Sequence, residues 1–213
     1  MRVRDFMKKD LITVDTETPI MAALETMKQN HIKRLPVTKG DKFVGLVTRA
    51  MLRDASPSDA TSLSVYELNY LISKMKVKDI MVKDPVTISP DMPVEEAIWM
   101  GKEKGIGAFP VVEKGKLIGI ITESDISGVV SKALGLGEKD SKRITIITGG
   151  NRYGYLSNLI EVLDSYEIPI LSILSIPKEG SDDWYLIIRI KADNADKAAE
   201  DLKAKGYEVI EVT

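Results

Sequence analysis

Two stretches decide the fold: Val3-Arg4-Asp5-Phe6-Met7 and, 74 residues later, Val77-Lys78-Asp79-Ile80-Met81. Residues 3–52 align with residues 77–126 at this offset without a gap. A repeat at a fixed offset indicates that one structural unit occurs twice. A single unit of about fifty residues is small for a stable hydrophobic core, so we expect the two copies to pack against each other.

Each copy is predicted to be a β-α-β-β-α unit. A short extended segment leads to a helix that starts at Pro19 or Pro93, because proline at the first helical position costs no hydrogen bond. Apolar residues recur through each helix at helical spacing, and we expect Thr18 to cap the first helix. Two strands joined by a glycine-containing turn follow, and a second helix begins at Thr48 or Thr122.

The rest of the chain separates into a linker and a third domain. Polar residues after the first copy lead into a helix whose start is marked by Ser64 and Glu67 at capping-box spacing. From Arg143 the pattern changes to β-α-β-β-α-β, the ferredoxin-like arrangement of the α+β class. The sequence therefore predicts an α/β chain in four parts: a first repeat (1–56), a linking helix (57–76), a second repeat (77–135) and a C-terminal domain (142–213).

The composition excludes several kinds of chemistry. The 213 residues are 44% hydrophobic and 29% charged, as in ordinary globular proteins. The chain has no cysteine, which excludes disulfides, thiolate metal sites and cysteine nucleophiles. Its single histidine, His31, is predicted at the exposed end of a helix, so we expect neither a Ser-His-Asp triad nor a multi-histidine metal site. We therefore expect no catalytic residues, no metal and no required cofactor.

Charge and hydropathy bear on location and partners. The formal net charge is -2 and the pI is about 5.6, which gives no overall positive field to attract nucleic acid or an anionic membrane. No apolar run approaches the roughly 20 residues needed to cross a bilayer, and the N-terminus lacks the apolar segment of a signal peptide. We therefore expect a cytoplasmic protein that binds neither nucleic acid nor membranes.

The repeated pattern D-x-M, V-T, P-V and G-h-h-T-x-x-D/h, where h is an apolar residue, resembles a tandem pair of cystathionine-β-synthase (CBS) motifs, the Bateman module. The resemblance covers residues 1 to about 132. It implies a regulatory module rather than an enzyme. Many Bateman modules hold an adenosine nucleotide, such as AMP, ATP or S-adenosylmethionine, in one of the two clefts between the motifs.

Thr122 and Asp125 form the most informative pair of polar residues. Thr122 lies where a strand becomes a helix, and Asp125 follows three residues later, so both side chains are expected at the helix N-terminus. That end carries a partial positive charge and free N–H groups that suit a phosphate, and a carboxylate there can accept the hydroxyls of a ribose. The same two residues would also form a capping box that stabilises the helix by about 1 kcal/mol and binds nothing.

Other residues complete the predicted site. We expect Thr87 beside it, and the strand Ala108-Phe109-Pro110 to offer apolar backbone on which a base could pack. Lys33 and Arg34 of the first copy match Gly107 and Ala108 of the second. If these cations point across the interface they would neutralise phosphates, and if not they are solvated charges at a strand start.

The second cleft departs from the pattern. Met51 replaces the acid that matches Asp125, so this cleft lacks the ribose acceptor. Its remaining predicted members are Thr13, Pro36 and Thr48. We expect it to bind weakly or to stay empty.

Residues 143–213 resemble an ACT domain, the amino-acid-sensing module of many metabolic enzymes. Ligand-binding ACT domains place an amino acid at the loop after the first strand; Asn151 and Gly154 fit this pattern, whereas Tyr153 stands where proline is expected. Free N–H groups of the loop would suit a carboxylate, but a glycine turn needed only for positive φ explains the same residues. The exposed edges of an ACT sheet and the association of Bateman modules imply a homodimer.

The order of two CBS motifs and one ACT domain resembles the stand-alone CBS–ACT proteins related to the acetoin-utilisation B family. We therefore predict a non-catalytic regulatory sensor that binds an adenosine nucleotide at the Asp125 cleft and acts on a partner such as a metabolic enzyme. A ligand-free scaffold that works by protein contact is one alternative. A fragment related to IMP dehydrogenase is another.

Overall fold

The structure, a computed structural model, describes residues 1–55, 70, 72–149, 153–191 and 194–213. These residues form two compact units, Met1–Ile126 and Ser127–Thr213. The predicted linking helix lies mostly outside the described residues, including its expected capping box at Ser64 and Glu67.

The first unit contains both repeats, and each has the predicted helix-strand-strand-helix order. The first repeat is formed by β1 (Val14–Asp15), α1 (Ile20–Gln29), β2 (Arg34–Lys39), β3 (Lys42–Thr48) and α2 (Arg49–Asp54). The second is formed by α3 (Val77–Ile80), β4 (Val82–Lys83), α4 (Val94–Lys104), β5 (Ala108–Glu113), β6 (Lys116–Thr122) and α5 (Glu123–Ala133), which continues into the second unit.

The opening strand of each repeat is very short. In the first repeat β1 is two residues long and pairs in parallel with β2, with Val14 opposite Val37. In the second repeat the same contact is one parallel bridge between Ile88 and Val111, the residues at the 74-residue offset. The repeat is therefore preserved in backbone pairing as well as in sequence.

The starts of α1 and α4 differ from the prediction. Pro19 and Pro93 are the N-cap residues, and the helices begin one residue later. Thr18 makes no side-chain cap; its carbonyl instead accepts a hydrogen bond from the N–H of Val77. The expected Thr18 cap is therefore wrong, because α1 begins at Ile20 and Thr18 lies one position before its N-cap.

The N-terminal segment of each repeat packs on the other repeat. The N–H groups of Val3 and Arg4 donate to the carbonyls of residues 92 and 90, and those of Val77 and Lys78 donate to residues 18 and 16. The donors of the two pairs of bonds are 74 residues apart in the sequence, and so are the acceptors. The two repeats thus exchange equivalent segments, which explains why they share one compact unit.

Ion pairs also join the N-terminal segment of each repeat to the other repeat. Arg2 and Arg4 pair with Asp91, and Lys76 and Lys78 pair with Glu17 at the equivalent places. The hydrogen bonds from Lys76 and Lys78 lower the pKa of the Glu17 carboxyl from its ordinary value of 4.5 to about 2. Arg4 likewise holds the pKa of Asp91 below its usual range.

The second unit has the predicted β-α-β-β-α-β order. Its elements are β7 (Ser141–Thr148), α6 (Tyr155–Ser165), β8 (Ile170–Pro177), β9 (Trp184–Lys191), α7 (Ala195–Ala204) and β10 (Glu208–Val212). The sheet order is β10-β7-β9-β8 and every neighbouring pair is antiparallel. Fully buried apolar residues of both helices, among them Leu159 and Leu202, pack with Ile146 and Ile188 of the sheet.

Candidate ligand-binding site in the second repeat

Asp125 lies at the first turn of α5, directly after β6. Its Oδ2 accepts hydrogen bonds from the Thr122 N–H at 2.9 Å and from the Thr122 hydroxyl at 2.6 Å. The Asp125 N–H donates back to the Thr122 Oγ1 at 3.3 Å. The predicted capping geometry is therefore present, and it fixes the carboxylate so that Oδ1 takes no part in the cap.

Lys8 is the residue that meets this second oxygen. The Lys8 Nζ lies 3.3 Å from the Asp125 Oδ1. Lys8 belongs to the exchanged N-terminal segment, and its backbone makes two hydrogen bonds with Ile120, N to O at 2.9 Å and O to N at 3.0 Å. A cation that is distant in sequence is thus placed on the acid of the second repeat.

The equivalent place in the first repeat has no charge. Thr48 caps α2 by accepting a hydrogen bond from the Met51 N–H at 3.3 Å, but Met51 offers no carboxylate. At the position that matches Lys8 stands Val82, paired in β4 with Leu46. The two clefts therefore share a backbone and differ in chemistry, with an acid and a base in one and two apolar side chains in the other.

Arg34 reaches the second repeat. A Cβ built on Gly107 would lie 2.5 Å from the Arg34 Nη2 and 3.7 Å from a Glu123 carboxylate oxygen. The guanidinium therefore stands beside the residue that precedes β5, close to the start of α5. Of the two alternatives left open for Lys33 and Arg34, Arg34 thus takes the one that points to the other repeat. Lys33 is exposed, and its carbonyl accepts a hydrogen bond from the Arg49 N–H.

The predicted apolar strand is buried. Ala108 packs with Leu46 and Ile120 in a small cluster between the repeats, while the Phe109 ring lies against Gly101 of α4. Phe109 can therefore offer a ligand only its backbone. Pro110 is also buried, and its carbonyl accepts the hydrogen bond of the Ile88 N–H.

Thr87 and Thr13 occupy matching exposed positions. Thr87 immediately precedes Ile88, the residue bridged to Val111, and Thr13 precedes Val14 in the same way. Pro36, the last predicted member of the second cleft, is buried in β2 opposite Leu46. The structure thus brings Thr122, Asp125 and Lys8 into direct contact, and it places Arg34 beside Gly107.

Sequence reasoning missed Lys8. The alignment of the two copies contained a signal, because Lys8 of the first copy aligns with an apolar residue, Val82, in the second. The alignment could not show that this lysine faces the opposite repeat, because the exchange of N-terminal segments is a tertiary feature.

The predicted loop of the C-terminal domain is only partly described. Asn151 lies outside the described residues, Tyr153 is exposed, and Gly154 has a φ of 72° at the N-cap of α6. That φ lies in the left-handed region, which favours glycine at this turn. His31 follows α1 with a φ of 53° and is exposed, as expected for the end of a helix.

The described residues contain no group of three or more His, Cys, Asp or Glu side chains arranged to hold a metal ion. Among them there is also no helix of the length and apolar character required to span a bilayer.

Comparison with known proteins assigns both repeats to one family. Residues 3–58 and residues 77–132 each match the CBS domain. The chain belongs to the CBS domain family. The identification agrees with the duplicated fold and with the pattern that ends at Asp125.

Relatives of this CBS-pair chain differ in size. A CBS domain-containing protein of Dictyostelium discoideum is 34% identical over 134 residues, which are 62% of this chain and 92% of the relative. The inosine-5′-monophosphate dehydrogenase of Korarchaeum cryptofilum is 37% identical over 126 residues, but the chain spans only 23% of that enzyme.

Solved structures of CBS proteins are similar to the same part of the chain. The CBS domain pair of protein MJ0100, in complex with 5′-methylthioadenosine and S-adenosyl-L-methionine, is 26% identical with a TM-score of 0.51 and covers 62% of this chain and 96% of its own. CBSX2 in complex with AMP is 29% identical with a TM-score of 0.50, and the match covers 61% of this chain and 95% of CBSX2. AcuB of Vibrio cholerae is 25% identical with a TM-score of 0.54, and the match covers 65% of this chain and 96% of AcuB.

Proposed function

We propose that this CBS-pair chain is a non-catalytic regulatory protein that binds an adenosine nucleotide at the Asp125 site. The observation that supports the proposal is the fixed Asp125 carboxylate, which uses Oδ2 to cap α5 and directs Oδ1 to a partner outside the cap. A carboxylate held in this way can accept the hydroxyls of a ribose, and the helix N-terminus favours a phosphate.

The ligands of the similar structures agree with this chemistry. The MJ0100 pair holds 5′-methylthioadenosine and S-adenosyl-L-methionine, and CBSX2 holds AMP. All three molecules contain adenosine and differ in what the 5′ carbon carries. The shared part is what the Asp125 carboxylate would recognise, while Arg34 from the other repeat would meet the variable part.

An enzymatic role has less support. The match to inosine-5′-monophosphate dehydrogenase involves 59% of this chain and 23% of the enzyme, so the activity of that enzyme does not transfer to the CBS pair. A scaffold that binds no ligand is the remaining alternative, in which Thr122 and Asp125 would serve only as a helix cap.

Calorimetric titration tests the proposal directly. AMP, ATP and S-adenosylmethionine are titrated into ligand-stripped wild type and into Asp125→Met, which gives the Asp125 site the residue that the first repeat has at the equivalent position, Met51. Asp41→Met, at an exposed turn, controls for the loss of one charge. Binding by wild type and the control that is lost in Asp125→Met supports the sensor, whereas no binding by any protein at millimolar concentration refutes it.

We further propose that the second unit is an ACT domain with an amino-acid-sensing role. Its element order and its antiparallel sheet support this assignment. Titration of the standard amino acids into the full chain tests the role, with binding expected to change the intrinsic fluorescence of Trp184. If no amino acid binds at millimolar concentration, the sensing role of this unit is excluded.

We also propose that the chain is a homodimer that pairs through β8. This strand lies at an edge of the sheet, and Ile173 and Ile176 on it are 41% and 40% exposed. Unpaired edges with apolar side chains favour association with a second strand. Sedimentation analysis of Ile176→Lys should give a monomer, whereas Ile210→Lys, on β10 at the other edge, should leave the dimer intact.

A further inference from the structure

We propose that Lys8 makes the Asp125 site selective for phosphorylated adenosine ligands: its ammonium pairs with Asp125 in the empty site and exchanges that partner for the ligand phosphate. The inference rests on the proposed function of the site. It adds a residue that determines specificity and narrows the ligand class from adenosine compounds to nucleoside phosphates.

The position of Lys8 is fixed by its backbone. Two hydrogen bonds tie it to Ile120, and the neighbouring Met7 side chain lies against Gly119, where a Cβ would be 2.5 Å from the Met7 Sδ. The Lys8 side chain itself is 61% exposed, so its ammonium can move while its Cα stays in place. Such a side chain is anchored at the site and free to change partner.

The carboxylate of Asp125 divides its contacts between two oxygens. Oδ2 accepts both hydrogen bonds from Thr122, and within the described residues Lys8 is the one partner of Oδ1. A ribose hydroxyl that approaches Oδ1 must therefore share or displace the ammonium. A hydroxyl is neutral and cannot replace the carboxylate as counter-ion, whereas a phosphate offers a stronger anionic partner.

The charge of the ligand then decides whether Lys8 keeps an anionic partner. A neutral nucleoside would take Oδ1 and leave Lys8 without an anion. A nucleoside phosphate would take Oδ1 and return an anion to Lys8, with Arg34 as a second cation beside Gly107. S-adenosylmethionine carries a net positive charge and no phosphate at its 5′ group, so we expect it to bind less tightly than AMP.

The first repeat provides an internal comparison. Val82 and Met51 stand where Lys8 and Asp125 stand in the second, on equivalent backbone. The acid and the base are therefore present together in one cleft and absent together in the other. This pairing is expected if the two residues work on one ligand.

The test compares adenosine with AMP. Dissociation constants of both ligands are measured for wild type, Lys8→Val, Lys8→Arg and Lys9→Val. Lys8→Val places the side chain of Val82 at its own equivalent position, and Lys9 is an exposed neighbour that forms no ion pair with a described residue. We expect the preference for AMP over adenosine to fall about tenfold in Lys8→Val, because one charge-assisted contact is lost, and to persist in the other two variants.

The outcomes separate this inference from the function on which it rests. If AMP and adenosine both bind wild type and lose affinity equally in Lys8→Val, Lys8 has only a structural role and the inference is wrong. A preference that also falls in Lys9→Val would indicate a general charge effect and would overturn it as well. If neither ligand binds wild type, the proposed function of the Asp125 site fails together with the inference.

Discussion

The guanidinium of Arg34 fills the space that a side chain on Gly107 would occupy: a Cβ there would lie 2.5 Å from the Arg34 Nη2. Arg34 comes from the first repeat and Gly107 from the second. The residue at position 107 thereby admits a cation from the opposite repeat beside Glu123, the first residue of α5. This relationship permits a test of Arg34 that leaves Arg34 itself unchanged.

Gly107→Ala should displace the Arg34 guanidinium and weaken binding of AMP about tenfold, because one phosphate contact would be lost. Stability should change by less than about 0.5 kcal/mol, since the displaced atoms are the far end of a flexible side chain. Calorimetry gives the affinity and denaturant unfolding gives the stability.

The control for Gly107→Ala is Arg34→Met, which removes the same cation directly. Both single variants and the double variant should have the same affinity for AMP, because the interaction can be lost only once. Additive losses in the double variant would mean that Gly107 contributes independently, and the explanation through Arg34 would then be wrong.

Gly45→Ala and Gly119→Ala should destabilise the first unit by about 1–3 kcal/mol each, because an added methyl group would overlap the exchanged segments. At Gly45 the Cβ would lie 2.7 Å from the carbonyl oxygen of Val82. At Gly119 the nearest backbone atom is the Lys8 oxygen at 3.1 Å, and the closer contact is the movable Met7 Sδ. We therefore expect the larger loss at Gly45.

Gly128→Ala is the control for these two glycine substitutions. A Cβ at Gly128, within α5, would meet no atom within 4 Å. The substitution should raise stability by about 0.5–1 kcal/mol through helix propensity. Urea unfolding measures all three variants, and equal stability of Gly45→Ala and wild type would contradict the steric argument.

The repeat made the local structure of the first unit predictable. Hydrophobic spacing and glycine-containing turns gave the helices and hairpins, and the strand-to-helix junction gave the Thr122–Asp125 contact. The same reasoning gave the β-α-β-β-α-β order of the second unit. These features depend on neighbouring residues, which a single sequence displays.

Features that depend on distant residues were not predictable in the same way. The alignment of the copies does not say which repeat receives an N-terminal segment, so the contact of Lys8 with Asp125 could not be inferred. The cap predicted at Thr18 was wrong because α1 begins one residue later than expected, with Pro19 as its N-cap. The positions of Met7 and Met81 over Gly119 and Gly45 also became visible only in three dimensions.

Glu17 should contribute to the acid sensitivity of the first unit. Hydrogen bonds from Lys76 and Lys78 lower its pKa from 4.5 to about 2. A carboxyl with a lowered pKa in the folded state binds protons more readily when unfolded, so its stabilising effect is present above pH 4.5. That effect is lost as the pH falls from 4.5 towards 2.

The measurement is urea unfolding of wild type and Glu17→Gln across this pH range. The difference in stability should be constant above about pH 5 and should shrink as Glu17 becomes protonated. Because the pair is exposed, 1 M salt should reduce the difference. Glu25→Gln, at an exposed carboxyl without a described ion pair, serves as control. A difference between wild type and Glu17→Gln that is independent of pH would rule out this linkage.

Met51→Asp should create a second binding site in the first repeat. Met51 is the third residue of α2, after the N-cap Thr48, and its N–H already donates to the Thr48 hydroxyl. An aspartate there can accept the Thr48 N–H as Asp125 accepts that of Thr122, and its charge is favourable at a helix N-terminus. The stability gained from this helix cap should offset part of the stability lost when Met51 no longer packs against the first-repeat core.

The expected readout is the stoichiometry of AMP binding, which should rise from one to two per chain in Met51→Asp. Met51→Leu should bind like wild type, and Asp125→Met combined with Met51→Asp should retain one site in the first repeat. The clefts share their backbone, so a stoichiometry that stays at one in a folded Met51→Asp protein would show that the acid alone does not distinguish them. In that case the basic residue is also required, and adding Val82→Lys, which completes the pair found in the second repeat, should restore the second site.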